Sequence, residues 1–268
     1  DPPLARVQRP ATVALAPPGA DGGDWRGALR AVLNDPLKVV FQGAYPAACG
    51  ERVWPVAYPA PREFAARAVE GMWRELGGKL TGSVREGKVP AGLKPAFVST
   101  SPALAEVVRD VNKYSNNVMA QHVFLTLARQ KNGVATLDGA RETLRQWWQA
   151  RFADVDAPAP DNGAGLSRDA RITAQALARM LQAAWASPVM PELVASLPIA
   201  GVDGTLRRSQ SRSAAHLKTG SLRDVMAVGG YVHAQSGRRY VLVAIVNHPN
   251  ANAARPVLDA LTDWAAKD

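Results

Sequence analysis

A chain of 268 residues is long enough for one large domain or two ordinary ones, and it can bury a full core without disulfides or metals. Its 47% hydrophobic and 21% charged residues exclude wholesale disorder, and its single Cys49 excludes a disulfide framework or a Cys-rich zinc site. With 32 Lys+Arg against 23 Asp+Glu the net charge is +9, a balance suited to anionic surroundings such as nucleic acid, acidic lipid or acidic cell-wall polymer.

No apolar run approaches the roughly 18 residues a membrane span needs. Asp1-Pro2-Pro3-Leu4 has no Met, basic segment or apolar segment, so we expect a removed signal peptide or a longer precursor. The first sixty residues are rich in Pro and Gly, and Ala11 to Ala16 and Pro36 to Phe41 read as strands. Tyr58-Pro59-Ala60-Pro61 marks a boundary, followed by a helix from Arg62 to Leu76 that ends at Gly77-Gly78.

Strand-like pieces at Leu80 to Arg85 and Ala96 to Ser99 lead to a helix opened by Ser101-Pro102. Further helices are predicted from Val118 to Arg129, Asp138 to Phe152 and Thr173 to Trp185. Val225 to Val232 and Tyr240 to Val246, joined by Gln235-Ser236-Gly237-Arg238, form a β-hairpin, and a helix from Ala253 to Ala266 closes the chain. Strands, a block of helices, a hairpin and a last helix predict an α+β fold, an antiparallel sheet covered by helices.

Several familiar signatures fail. In Gly82 to Val89, Val89 stands where a phosphate-binding loop needs a Ser or Thr hydroxyl, and Pro90 cannot open the required helix. Gly163-Ala164-Gly165 begins like a dinucleotide fingerprint, but Arg168 replaces the third glycine and no strand precedes it. His122, His216, His233 and His248 show no metal-ligand spacing, and the basic residues do not interleave with aromatics as in a nucleic-acid platform. No cofactor, metal or nucleic-acid partner is expected.

Two short motifs remain. Ser115-Asn116-Asn117 lies between two helices, and Lys218-Thr219-Gly220-Ser221 lies on a strand before the hairpin. Usage frequencies give roughly one chance Ser-x-Asn in a chain this long, and Lys-Thr-Gly in about one such chain in twenty. The alternative for Ser115 is helix capping, and for Lys218 to Gly220 an ordinary edge strand; their joint occurrence in this order weakens both alternatives. A Ser hydroxyl relays a proton, and an Asn amide donates to a substrate carbonyl. Lys218 and Thr219 supply a cation and a hydroxyl for a carboxylate, Gly220 admits a substrate strand, and the Ser221 N–H serves an oxyanion. Together these groups suit acyl transfer on a peptide with a free C-terminal carboxylate.

These motifs resemble those of the penicillin-binding proteins and serine β-lactamases, whose signature is Ser-x-x-Lys, Ser-x-Asn and Lys-Thr-Gly. The sequence is most similar to low-molecular-mass D-alanyl-D-alanine carboxypeptidase/endopeptidases of the DacB-like family. Lys113 to Ala120, Asp161 to Arg168, Gly201 to Leu206 and Ala215 to Leu222 carry that narrower resemblance. It implies a partial β-lactamase/transpeptidase-like domain over 62–268, with 1–61 the remnant of a β-rich insertion domain. It also implies a periplasmic cell-wall hydrolase that acts on peptidoglycan stem peptides and is acylated by β-lactams. In the family's mechanism Ser115, Asn117 and Lys218 would be catalytic, and Thr219, Gly220 and Ser221 would bind substrate.

The family's nucleophile lies in Ser-x-x-Lys, and no Ser of this chain has Lys three positions later. We therefore expect the C-terminal part of a longer precursor, inactive alone, with uncovered core surface that favours a homodimer. The alternative is a non-catalytic module that binds peptidoglycan peptides; a basic nucleic-acid-binding protein is a third reading, marked by steep salt dependence.

Overall fold

The computed structural model describes residues 2–19 and 24–268. They fall into two compact units, Asp1–Phe97 and Val98–Asp268.

The first unit contains the short helix α1 (Trp25–Ala28), strands β1 (Leu29–Asp35) and β2 (Lys38–Gly43), and helix α2 (Pro61–Glu75). The strands form an antiparallel hairpin whose register shifts between Val32 and Asp35. Trp25, Tyr45, Trp54 and Phe41 pack beside it in a group of tilted and edge-on rings, with centroids 5.4 to 6.3 Å apart. On α2 the buried Glu70 pairs with Arg74 at 3.0 Å and Arg6 at 3.6 Å. Gly71 permits close backbone approach there, since a Cβ would lie 2.1 Å from the Pro3 carbonyl oxygen.

The second unit contains helices α3 (Leu104–Tyr114), α4 (Asn117–Asn132), α5 (Leu137–Gln149), α6 (Ala174–Trp185) and α7 (Met190–Ser196), then strands β3 (Ala215–Leu222), β4 (Val225–His233) and β5 (Arg239–Asn247), and finally α8 (Arg255–Ala266). The sheet is antiparallel in the order β3-β4-β5, which leaves β3 at an edge. Alternation along the strands sends opposite sets of side chains to the two faces. Leu217, Met226, Val228, Val232 and Leu242 pack with Leu258 and Ala265 of α8, whereas Tyr231, Val241 and Val243 pack with Leu177 and Leu181 of α6. Separate clusters join α4 to α5 through Phe124, Ala128 and Ala140, and α5 to α6 through Trp148, Phe152 and Ala176.

The mixed architecture, with two antiparallel sheets and several helices, agrees with the predicted class. The terminal hairpin and most helices lie within a few residues of their expected bounds. Thr173 caps α6 by accepting from the Ala176 N–H at 3.0 Å. Four readings need correction. Leu80 to Arg85 and Ala96 to Ser99 form no ladder, because an extended segment becomes a strand only by pairing and neither has a partner among the described residues. Of Ala11 to Ala16, only Leu15 makes a bridge, to Tyr45. β1 was not foreseen. Helix α3 begins after Ala103 rather than at Ser101, with Glu106 turned back to accept from the Ala103 N–H at 3.2 Å.

Candidate active site

Ser115 and Lys218, 103 residues apart in sequence, meet through a 2.5 Å hydrogen bond in which Lys218 Nζ donates to Ser115 Oγ. Ser115 and Asn116 form the hinge between α3 and α4, and Ser115 adopts a left-handed conformation with φ 52° and ψ 48°. That conformation costs a non-glycine residue about 1–2 kcal/mol, so its surroundings must hold it. The Ser115 and Asn116 N–H groups both return to the Val111 carbonyl, while Asn116 caps α4 by accepting from the Met119 N–H at 3.1 Å.

Polar anchors on the last turn of α3 reinforce the hinge. Lys113 Nζ donates to Asp203 Oδ2 at 2.6 Å and to the Leu197 carbonyl at 2.7 Å, and Asn112 donates to Ser196 Oγ at 2.8 Å. Burial alone would raise the Asp203 carboxyl pKa, but the hydrogen bonds from Lys113 and the Ile199 N–H outweigh it and hold the group below the usual range. At the start of α4, Asn117 Nδ2 donates to the Ala164 carbonyl at 2.6 Å and Gln121 to the Asn162 carbonyl at 3.2 Å. These bonds tie the loop of Asp161 to Arg168 to the helix that follows Ser115.

Lys218 reaches the site from β3. Its neighbours Leu217 and Ala215 are buried, so alternation turns Lys218 to the opposite face of the strand. Its ammonium also donates to the Thr219 carbonyl at 2.9 Å, and burial pushes its pKa below the ordinary lysine value. A lysine so placed can exchange a proton with Ser115 Oγ. Thr219 faces the other way, with its hydroxyl 2.8 Å from that of Thr205. A Cβ on Gly220 would make only ordinary contact with Ala227 at 3.7 Å, so packing does not demand glycine there.

All six predicted site residues, Ser115, Asn117, Lys218, Thr219, Gly220 and Ser221, line one cavity of about 530 Å³. Lys218, Thr219 and Gly220 also line a second cavity of about 950 Å³, walled by Leu177, Met180, Leu193 and Leu197. Sequence reasoning missed Thr205, the Lys113–Asp203 pair and Arg255, which also lines the first cavity. The Asp203-Gly204-Thr205 triplet stood inside a segment that carried the resemblance, and that was the available signal for Thr205. Among the described residues no group of three or more His, Cys, Asp or Glu side chains is placed to hold a metal ion, and no helix is long and apolar enough to cross a membrane.

The sequence matches the model of the D-Ala-D-Ala carboxypeptidase 3 (S13) family over residues 28–268. It is 29% identical over 206 residues to a D-alanyl-D-alanine carboxypeptidase of Actinomadura sp., covering 72% of this chain and 38% of the relative. Against carboxypeptidase DacB of Mycolicibacterium smegmatis it is 30% identical over 187 residues, covering 65% of this chain and 40% of the relative. Among solved structures, penicillin binding protein 4 of Haemophilus influenzae shares the fold, with a TM-score of 0.68 at 21% identity over 94% of this chain and 64% of that one. The matched part of the chain thus corresponds to about four tenths of the length of these curated relatives.

Proposed function

The chain belongs to the D-Ala-D-Ala carboxypeptidase 3 (S13) family, and from that premise we propose that it carries the substrate-binding and proton-relay half of a serine acyl-transfer site for D-alanyl-D-alanine stem peptides of peptidoglycan. The observation that carries this reading is the Ser115–Lys218 hydrogen bond, which brings two distant motifs together beside Asn117, Thr219 and Ser221 in one cavity.

In the reaction, a serine oxygen attacks the penultimate D-Ala carbonyl, the amide C–N bond breaks, and the terminal D-Ala leaves as an amine. Water then hydrolyses the acyl-enzyme. Lys218 and Ser115 deliver the proton that the leaving amine requires. Asn117 orients the substrate amide, Gly220 lets the peptide lie along the free edge of β3, and the Ser221 N–H serves the oxyanion. Thr219 takes the terminal carboxylate.

The attacking serine of this mechanism belongs to a Ser-x-x-Lys segment, and this chain has no Ser with Lys three positions later. The chain alone is therefore inactive in our reading. The apolar cavity beside Lys218 is where such a segment would pack, with residues 1–61 the remnant of a β-rich insertion and the whole protein a periplasmic cell-wall hydrolase. Intact mass with and without excess benzylpenicillin tests this. An unchanged mass is expected, and the same chain preceded by a Ser-x-x-Lys segment should gain one penicilloyl group. A stoichiometric adduct on Ser115 of this chain would overturn the assignment of Ser115 as a relay.

A further inference from the structure

The site contains a division of labour between two cations. The charged side chains lining the 530 Å³ cavity are Lys218, Arg255 and Asp259. Lys218 is committed to Ser115 Oγ and the Thr219 carbonyl, on the face of β3 opposite the Thr219 hydroxyl. Asp259 is committed as well, since its two oxygens accept from Ser209 Oγ at 2.6 Å and the Gln210 N–H at 3.2 Å. Arg255 is different. It is exposed, and among the described residues its guanidinium has no ion pair or hydrogen bond, although Asp259 lies one helical turn away.

Arg255 is the first residue of α8, which packs on the same face of the sheet as Leu217 and Thr219. The same cavity is lined by Thr205, whose hydroxyl meets that of Thr219. A carboxylate at the two threonine hydroxyls therefore has Arg255 as the unengaged cation of the same cavity, and the positive end of α8 adds to the attraction.

We infer that Arg255, with Thr219 and Thr205, recognises the C-terminal carboxylate of the peptide, which leaves Lys218 to the proton relay with Ser115. This rests on the reading of the site as a D-alanyl-D-alanine peptide site. It revises one point of the sequence-based assignment, in which Lys218 shared the carboxylate with Thr219.

The test compares an N-acylated peptide ending in D-Ala-D-Ala with its C-terminal carboxamide, by calorimetric titration of this chain. The free acid should bind about tenfold or more tightly than the amide, as expected for a charge-assisted contact. Arg255→Gln should abolish most of that preference by weakening the free acid far more than the amide, and Arg255→Lys should restore part of it. The double variant Arg207→Gln, Arg208→Gln, which lowers the basic charge of the preceding loop, should keep the full preference. An unchanged acid-to-amide ratio in Arg255→Gln, with D-selective binding intact, would overturn the role of Arg255 alone. Equal binding of an L-Ala-L-Ala peptide, or no binding of any peptide, would overturn the underlying site reading and this inference with it.

Discussion

The two segments that build the site are held by opposite means. The hinge from Asn112 to Asn117 contributes little to any apolar core, and α3 has no buried residue. Its position comes from discrete polar contacts, namely Lys113 to Asp203, Asn112 to Ser196 and Asn117 to the Ala164 carbonyl. The strand from Ala215 to Leu222 is instead held by a continuous ladder to β4 and by Ala215 and Leu217 in the α8 core. The hinge must therefore respond to single charges and caps, and the strand to lost volume.

The largest effect should fall on the strand. Leu217 is only 2% exposed, and Leu217→Ala should cost about 2–5 kcal/mol of stability in urea unfolding. A loss below about 1 kcal/mol would mean that the α8 core does not anchor β3. On the hinge, Lys113→Met removes the partner of Asp203. Asp203 keeps 39% of its side-chain exposure, so the cost is about 1–3 kcal/mol rather than that of a fully buried pair. If the polar anchors set the hinge, amide exchange across Asn112 to Asn117 should quicken in that variant while β3 and β4 stay protected.

At Ser115 the contrast is one of backbone conformation. Ser115→Ala and Ser115→Gly both lose the hydroxyl, but only alanine keeps the strain of positive φ. The glycine variant should be about 1 kcal/mol more stable, measured by thermal melting. The reverse order would show that the left-handed hinge is not imposed by its surroundings.

The smallest effect is on the acid side. The Asp203 carboxyl is held below the usual aspartate pKa, so the stability it contributes is complete above the unfolded-chain pKa and fades as pH falls through the lower, folded one. Asp203→Asn should flatten this part of the acid limb of a melting-temperature profile.

The hairpin of β4 and β5 was legible because β-rich runs flank a four-residue turn. The two short motifs that line the cavity were legible because they occur together in one order, although Ser-x-Asn alone is common. Contacts made only by tertiary folding were not. Lys113 and Asp203 are 90 residues apart, and nothing local in either neighbourhood announces the other. Arg255 is one of 32 Lys and Arg, and its place in the cavity that also holds Ser115, Lys218 and Thr219 is a tertiary property that its sequence neighbourhood does not announce. The expected strands at 80–85 and 96–99 misled because apolar, extended composition says nothing about whether a partner strand is present.

The most direct test of a single site built from both segments is an amide chemical-shift titration of this chain with an N-acylated D-Ala-D-Ala peptide. Shifts should cluster at Ser115 to Asn117, Gly163 to Leu166, Thr205 and Thr219 to Ser221, and they should be weak with the L-Ala-L-Ala peptide. Shifts confined to one segment, scattered elsewhere, or equal for both stereoisomers would contradict it.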